Sequence, residues 1–264
     1  MIEGRGISFT VGGKQILQDL TLALRSAEVL AVIGPNGAGK STVSRVLSGE
    51  VEPSVGEVSM NNRPLRDWPL RERAKVRAVL PQHSSLQFAF RVIDVVMMGR
   101  SPHNSTFDRH DMEIAQAALK KADVSHLADR LFPGLSGGER QRVHMARVLA
   151  QIWDPNKDNA RYLLLDEPTS ALDLSHQHST LAIARDLADK QGVGVLIVLH
   201  DLNLAALYAD RIALMQSGKL KRLGTPTEVL QADIVEEVFE IPVTVNAHPL
   251  SGECPLVITH PLNP

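Results

Sequence analysis

Three stretches of the chain are apolar without interruption: VLAVI (29–33), YLLL (162–165) and VGVLIVL (193–199). A strand covered on both faces reads this way, because both sets of alternating side chains leave water. Between the last two, STLAIARDLADK (179–190) places apolar residues at helical spacing. Strand and helix alternating in this manner predict an α/β fold with a doubly wound parallel sheet. The N-terminal segment differs: ISFTV (7–11) and QILQDLTLAL (15–24) flank Gly12-Gly13 and predict an antiparallel β hairpin. From Phe88 to Asn159 the pattern is helical and contains no buried strand, with the clearest periodicity in 92–100 and 111–124. An inserted α-helical subdomain (88–159) is therefore expected to interrupt an α/β core formed by 1–87 and 160–223. Residues 224–264 form a tail. In it, Thr225, Pro226 and Glu228 suit the cap, first and third positions of a short helix, and VTV (243–245) and PLVI (255–258) are expected to pair as strands.

Composition narrows the setting. Of the 264 residues, 44% are hydrophobic and 22% charged, with a formal net charge of −2, so no general basic surface points to nucleic acid. Cys254 is the sole cysteine, which excludes an internal disulfide and fits a reducing compartment. Met1 leads into a strand pattern rather than a signal peptide, and the longest apolar runs are too short to cross a bilayer. Any membrane association is expected to come through a partner.

The chemistry gathers at strand ends. Gly34-Pro35-Asn36-Gly37-Ala38-Gly39-Lys40-Ser41, followed by Thr42, fits G-x-x-x-x-G-K-[ST] between a predicted strand and a helix. Its glycines let successive N–H groups face an anion at a helix N-terminus. Lys40 is expected to reach the β- and γ-phosphates, and the Ser41 hydroxyl to ligate Mg²⁺. Ligands of open α/β sheets sit beyond the carboxyl ends of the strands. The second buried strand ends in Asp166-Glu167 and the third at His200, on the same edge as Gly34. Asp166 is a candidate to hold Mg²⁺ directly or through water, and Glu167 to polarise the attacking water. His200 is expected to contact the γ-phosphate or to orient that water. Elsewhere, Ser136-Gly137-Gly138-Glu139 fits a capping box opening a helix through about Ile152. A capping box leaves the two glycines unexplained; they provide a bare helix N-terminus that an anion can approach.

Six motifs stand in a familiar order: the phosphate loop, LPQ ending at Gln82, LSGGERQR (135–142), LLLDEP (163–168), SALD (170–173) and VLHD (198–201). Over about residues 5–223 the chain resembles the ATP-binding cassette (ABC) ATPases. The resemblance implies a RecA-like P-loop NTPase core that binds ATP with Mg²⁺. It also implies a head-to-tail homodimer in the ATP-bound state, in which Ser136, Gly137 and Gly138 complete the partner's ATP site. By the same resemblance Gln82 senses Mg²⁺ and links the site to a membrane subunit, and Asp173 bridges the two sites across the interface. The family stacks adenine on an aromatic just before the Gly12-Gly13 turn. Val11 stands there, with Phe9 on the same face by strand alternation, so either is a candidate adenine contact. RVIDVVMMGRSPH (91–103) and HDLNLAALYADRIALMQSGK (200–219) resemble the branch importing iron chelates, haem and vitamin B12, and 153–173 its haem importers. The branch implies two transmembrane permease subunits docking near the helical subdomain and a periplasmic haem-binding protein reached through the complex. It implies a peripheral position on the cytoplasmic face of the inner membrane. An exposed apolar patch near 88–104 would favour docking there, whereas Met97-Met98 are expected to be packing. No direct haem binding is expected of the ten scattered histidines.

Overall fold

The computed structural model describes residues 1–82, 86, 88–103 and 106–261. Strands β1 (Ile2–Val11) and β2 (Lys14–Leu24) are joined by Gly12-Gly13, both at positive φ, the geometry of a two-residue turn matched to strand twist. With β4 (Val55–Met60) and β5 (Arg63–Pro64) they make an antiparallel sheet in the order β2-β1-β4-β5.

The second sheet contains β3 (Val29–Ile33), β6 (Arg77–Leu80), β7 (Tyr162–Asp166), β8 (Gly194–Val198), β9 (Arg211–Gln216) and β10 (Lys219–Gly224), in the order β10-β9-β3-β8-β7-β6. All its pairings are parallel except β9–β10. Alternation along its buried strands divides the interior in two. Ala31, Ile33, Leu163, Leu165, Val195 and Ile197 face one core, and Leu30, Val32, Leu164, Leu196 and Val198 the other. Each such side chain stabilises the fold by roughly 1.5–3 kcal/mol on leaving water, before entropy is counted.

Helix α1 (Lys40–Ser48) and the antiparallel sheet close the second core. On the first lie α3 (Val92–Met97), α4 (Arg109–Lys121) and α5 (Gly137–Gln151), which pack on one another, with α6 (Leu174–Gln191) and α7 (Leu202–Tyr208). The short α2 (Leu70–Val76) leads into β6. Arg100, 1% exposed, anchors the helical insertion: its guanidinium binds Asp111 (2.8 Å), Asp154 (2.6 Å) and the Ala150 carbonyl (2.8 Å). Met97 is buried in this core.

Beyond Gly224 come α8 (Pro226–Val229), α9 (Ala232–Phe239) and the antiparallel pair β11 (Val243–Ala247) and β12 (Pro255–Thr259). Thr225 and Glu228 form the expected capping box. Val229, Leu230, Val235, Val238 and Val257 enter the same core as the helical insertion, so the tail packs as part of the body. Among the described residues no helix is long and apolar enough to cross a membrane.

Candidate functional site

At the carboxyl end of β3 the backbone turns sharply. Gly34 has φ 148°, and a Cβ there would stand 2.2 Å from the Met215 carbonyl oxygen, so only glycine fits. The loop runs to Gly39 (φ 97°), which opens α1 without a side-chain cap, leaving its first N–H groups facing the cleft. Lys40 is 5% exposed and folds back, its Nζ donating to the carbonyls of Gly34 (2.8 Å) and Pro35 (3.0 Å). Burial pushes its pKa down, against the nearby Glu167 and Asp166. An ammonium held on two loop carbonyls is poised to exchange them for phosphate oxygens.

Three parallel strands, β6, β7 and β8, deliver the remaining groups to this edge. Ser41 Oγ donates to Asp166 Oδ1 at 3.0 Å. Burial raises the Asp166 pKa, the Ser41 hydrogen bond opposes the rise, and Glu167 adds to it. Glu167, in the left-handed region at φ 50°, has its carboxylate gripped from both sides. Gln82 Nε2 donates to Oε2 and His200 Nε2 to Oε1, each at 2.7 Å. The helix after His200 is capped by Asp201, so His200 is not spent as a cap. The loop from Asn36 through Thr42, with Glu167 and His200, lines one cleft of about 600 Å³.

The same cleft is also lined by residues the sequence reading missed: Lys14, Gln15, Ile16 and Gln18 of β2, and Ser217-Gly218 of the β9–β10 turn. A Cβ on Gly218 would meet the Ile16 carbonyl oxygen at 2.3 Å, so the turn sits hard against β2. The signal was available, since the apolar run of β9 followed by Ser-Gly is a strand-and-turn pattern. Neither Phe9 nor Val11, the expected adenine contacts, is among the described residues that line this cleft. The register of β1 against β2 shifts on either side of Phe9, with the extra residues lying in β2. Phe9 is instead half-buried against the core, and Val11 is 56% exposed.

Ser136 caps α5 as expected: its Oγ accepts from Glu139 N (3.3 Å), and Glu139 Oε2 accepts from Ser136 N (2.7 Å). The backbone bond from Ser136 holds the Glu139 carboxyl below its usual range. Ser136, Gly137 and Gly138 are absent from the described lining of their own chain's cleft. Gly138 leans instead on the loop before α6, where a Cβ would meet Ala171 O at 3.3 Å. Asp173 caps α6 through His176 N (3.0 Å), and His176 Nδ1 lies 2.8 Å from the same carboxylate.

A phosphate loop, buried carboxylates and an imidazole on one edge of a parallel sheet, with a helical insertion, define a P-loop nucleotide-binding cassette. Residues 17–170 match the family described as ABC transporter, and the chain belongs to it. It is 55% identical to the hemin import ATP-binding protein HmuV of Gloeobacter violaceus, over 98% of this chain and 94% of that protein. To the HmuV of Pseudomonas aeruginosa it is 52% identical, over 98% and 99% of the two chains. Among solved structures it is similar to an ABC transporter described as of metal-chelate type, in an inward-facing conformation (TM-score 0.80, 30% identity, covering 99% of this chain and 97% of that one). It is also similar to a dimeric bacterial ABC transporter cassette (TM-score 0.76, 25% identity, covering 86% and 99%).

Proposed function

We propose that this chain is the ATP-hydrolysing subunit of a binding-protein-dependent importer whose cargo is haem, working as a homodimer under two permease subunits. The observation that carries the hydrolytic reading is the Glu167 carboxylate held between Gln82 and His200 beside the phosphate loop. The cargo reading rests on the 55% identity with a hemin import protein across nearly the whole chain.

In this reading Lys40 exchanges the Gly34 and Pro35 carbonyls for the β- and γ-phosphates, and the N–H groups from Asn36 to Thr42 bind the remaining oxygens. Ser41 and Asp166 fit Mg²⁺: both are hard oxygen donors, and they stand 3.0 Å apart. Phosphate charge would be neutralised by Mg²⁺ bound there. Glu167 takes the proton of the attacking water, and His200, released from it, contacts the γ-phosphate or orients that water. Gln82 leaves Glu167 when the phosphates arrive and reports occupancy to the permease. Ser136, Gly137 and Gly138 close on the γ-phosphate bound by the partner, and Asp173 lies between the two sites.

Permease docking near the helical insertion is supported by Phe88 (72% exposed) and Phe90 (37%), stacked edge to face at 6.1 Å, with Leu131 exposed beside their strand-like segment. Of the expected docking span, 88–104, Asn104 lies outside the described residues. The subunit would then sit peripherally on the cytoplasmic face of the inner membrane, with a periplasmic haem-binding protein delivering cargo to the complex.

Glu167→Gln tests the catalytic assignment. It is expected to retain ATP, elute as a dimer on size exclusion with ATP and Mg²⁺, and lose at least about 100-fold in phosphate release. Monomer elution with continued turnover would overturn it. Cargo is tested by reconstituting the chain with the permease and binding protein encoded beside it. Haem should stimulate hydrolysis; stimulation by a ferric siderophore or cobalamin instead would replace haem as cargo and leave the ATPase assignment standing.

A further inference from the structure

Between Glu167 and the cap of α6 runs a short loop, Pro168 to Leu172, with a contact on each side. At its start, the Glu167 carbonyl accepts from Ser170 N (3.4 Å) and Ser170 Oγ (3.1 Å), so the loop is bonded to the backbone of the catalytic carboxylate. At its far end, Ala171 and Leu172 form the surface on which Gly138 rests. Gln141 of α5 reaches across to Pro168 O at 3.5 Å. One side chain ties the turn together. Gln177 of α6 donates from Nε2 to Leu172 O (3.0 Å) and to Thr169 O (3.4 Å), the two ends of the loop's own Leu172 N to Thr169 O hydrogen bond. Its backbone N is held by Asp173 O at 2.9 Å, fixing the side chain one turn into α6. Gln177 and Glu167 also line a common cavity of about 170 Å³ beside His200, next to the nucleotide cleft.

We propose that Gln177 is a positioning residue that sets the 168–172 loop, and through it both Glu167 and the Ser136–Gly138 segment of the same chain. This rests on the shared-site dimer proposed above. There, Glu167 serves the nucleotide bound by its own chain and Ser136–Gly138 the partner's, so one amide links two ATP sites. The physical reason is that a glutamine N–H₂ can satisfy two carbonyls at once, and here it bridges those of Thr169 and Leu172 beside the loop's own hydrogen bond. Glu at this position has the same shape, offers no donor, and faces both carbonyls with negative charge. Lys keeps a donor.

The test uses a dimer with one working site. Ser136→Arg in one chain and Lys40→Ala in the other leave intact only the site combining the first chain's phosphate loop with the second chain's Ser136–Gly138. Gln177→Glu is then added to one chain at a time. In the first chain it disturbs Glu167 of the working site and is expected to lower kcat about tenfold with KM nearly unchanged. In the second chain it disturbs the segment that closes on the nucleotide and is expected to raise KM for ATP by a similar factor. Gln177→Lys is expected to restore both values towards the parent dimer. Equal effects from the two placements, accompanied by a lowered Tm, would overturn the proposal in favour of simple stabilisation. Parent-like kinetics in both placements would overturn it as well. If the parent mixed dimer is itself inactive, the shared-site reading fails first and this inference falls with it.

Discussion

Glu167 combines a reactive side chain with a backbone conformation that side chains avoid. At φ 50° its Cβ crowds the carbonyl, and a non-glycine residue in this region is disfavoured by roughly 1–2 kcal/mol. Comparing Glu167→Ala with Glu167→Gly isolates that strain. Both variants lose the hydrogen bonds from Gln82 and His200, and both lose the base. They differ in that glycine accepts the left-handed conformation, while the greater freedom of glycine in the unfolded chain takes back roughly 0.5–1 kcal/mol. Glycine should therefore be the more stable by about 0.5–1 kcal/mol, or about 1–4 °C in Tm for a chain of this size. At an ordinary position the order is reversed. Thermal unfolding of the two nucleotide-free variants measures the difference, and phosphate release should be near background in both. An alanine variant as stable as the glycine variant, or more so, would refute the claim that Glu167 is held in a strained backbone.

Three further outcomes are expected. Arg100→Met removes the cation that Asp111 and Asp154 share in the helical insertion; with Asp111 fully buried, the loss should reach about 3–5 kcal/mol in urea unfolding. Burial alone would raise the Asp154 carboxyl, but hydrogen bonds from Arg100 and His110 hold it below its ordinary value of 3.8. The stabilisation is thus complete above that value and is lost as pH falls through the depressed one, so Asp154→Asn should flatten the acid limb of a stability-against-pH curve. No Phe, Tyr or Trp is found among the described residues that line the cleft. Val11→Tyr, restoring a ring before the Gly12-Gly13 turn, should lower KM for ATP by about tenfold, the scale of base stacking on an aromatic side chain; unchanged steady-state kinetics would count against a base seated near Val11.

The parts of the fold legible in the sequence were those whose signal is local. β3, β7 and β8 are buried on both faces and read as unbroken apolar runs, and the caps at Ser136 and Thr225 are set by residues three apart. β6 was hidden: it is four residues long, begins with Arg77 and follows directly on α2. β9 carries a strand-and-turn signal, but its apolar run abuts the helical pattern before it, and the turn that walls the cleft was missed with it. The phosphate loop, Asp166, Glu167 and His200 converge because their strands are parallel neighbours, which strand order alone explains. The grip of Gln82 and His200 on Glu167 depends on side-chain reach between elements far apart in the chain, and that of Gln177 on the way its loop folds back against the start of α6.

The central claim is that one ATP site is shared between two chains, and the mixed dimer of Lys40→Ala and Ser136→Arg tests it directly. Each variant alone should be inactive, since both of its sites lack one half. In an equimolar mixture half of the dimers are mixed and each has one intact site, so about a quarter of wild-type turnover should return if the sites act independently. No recovery, with mixed dimers verified by differential tagging, would contradict the shared site and leave Ser136–Gly138 as a helix cap alone.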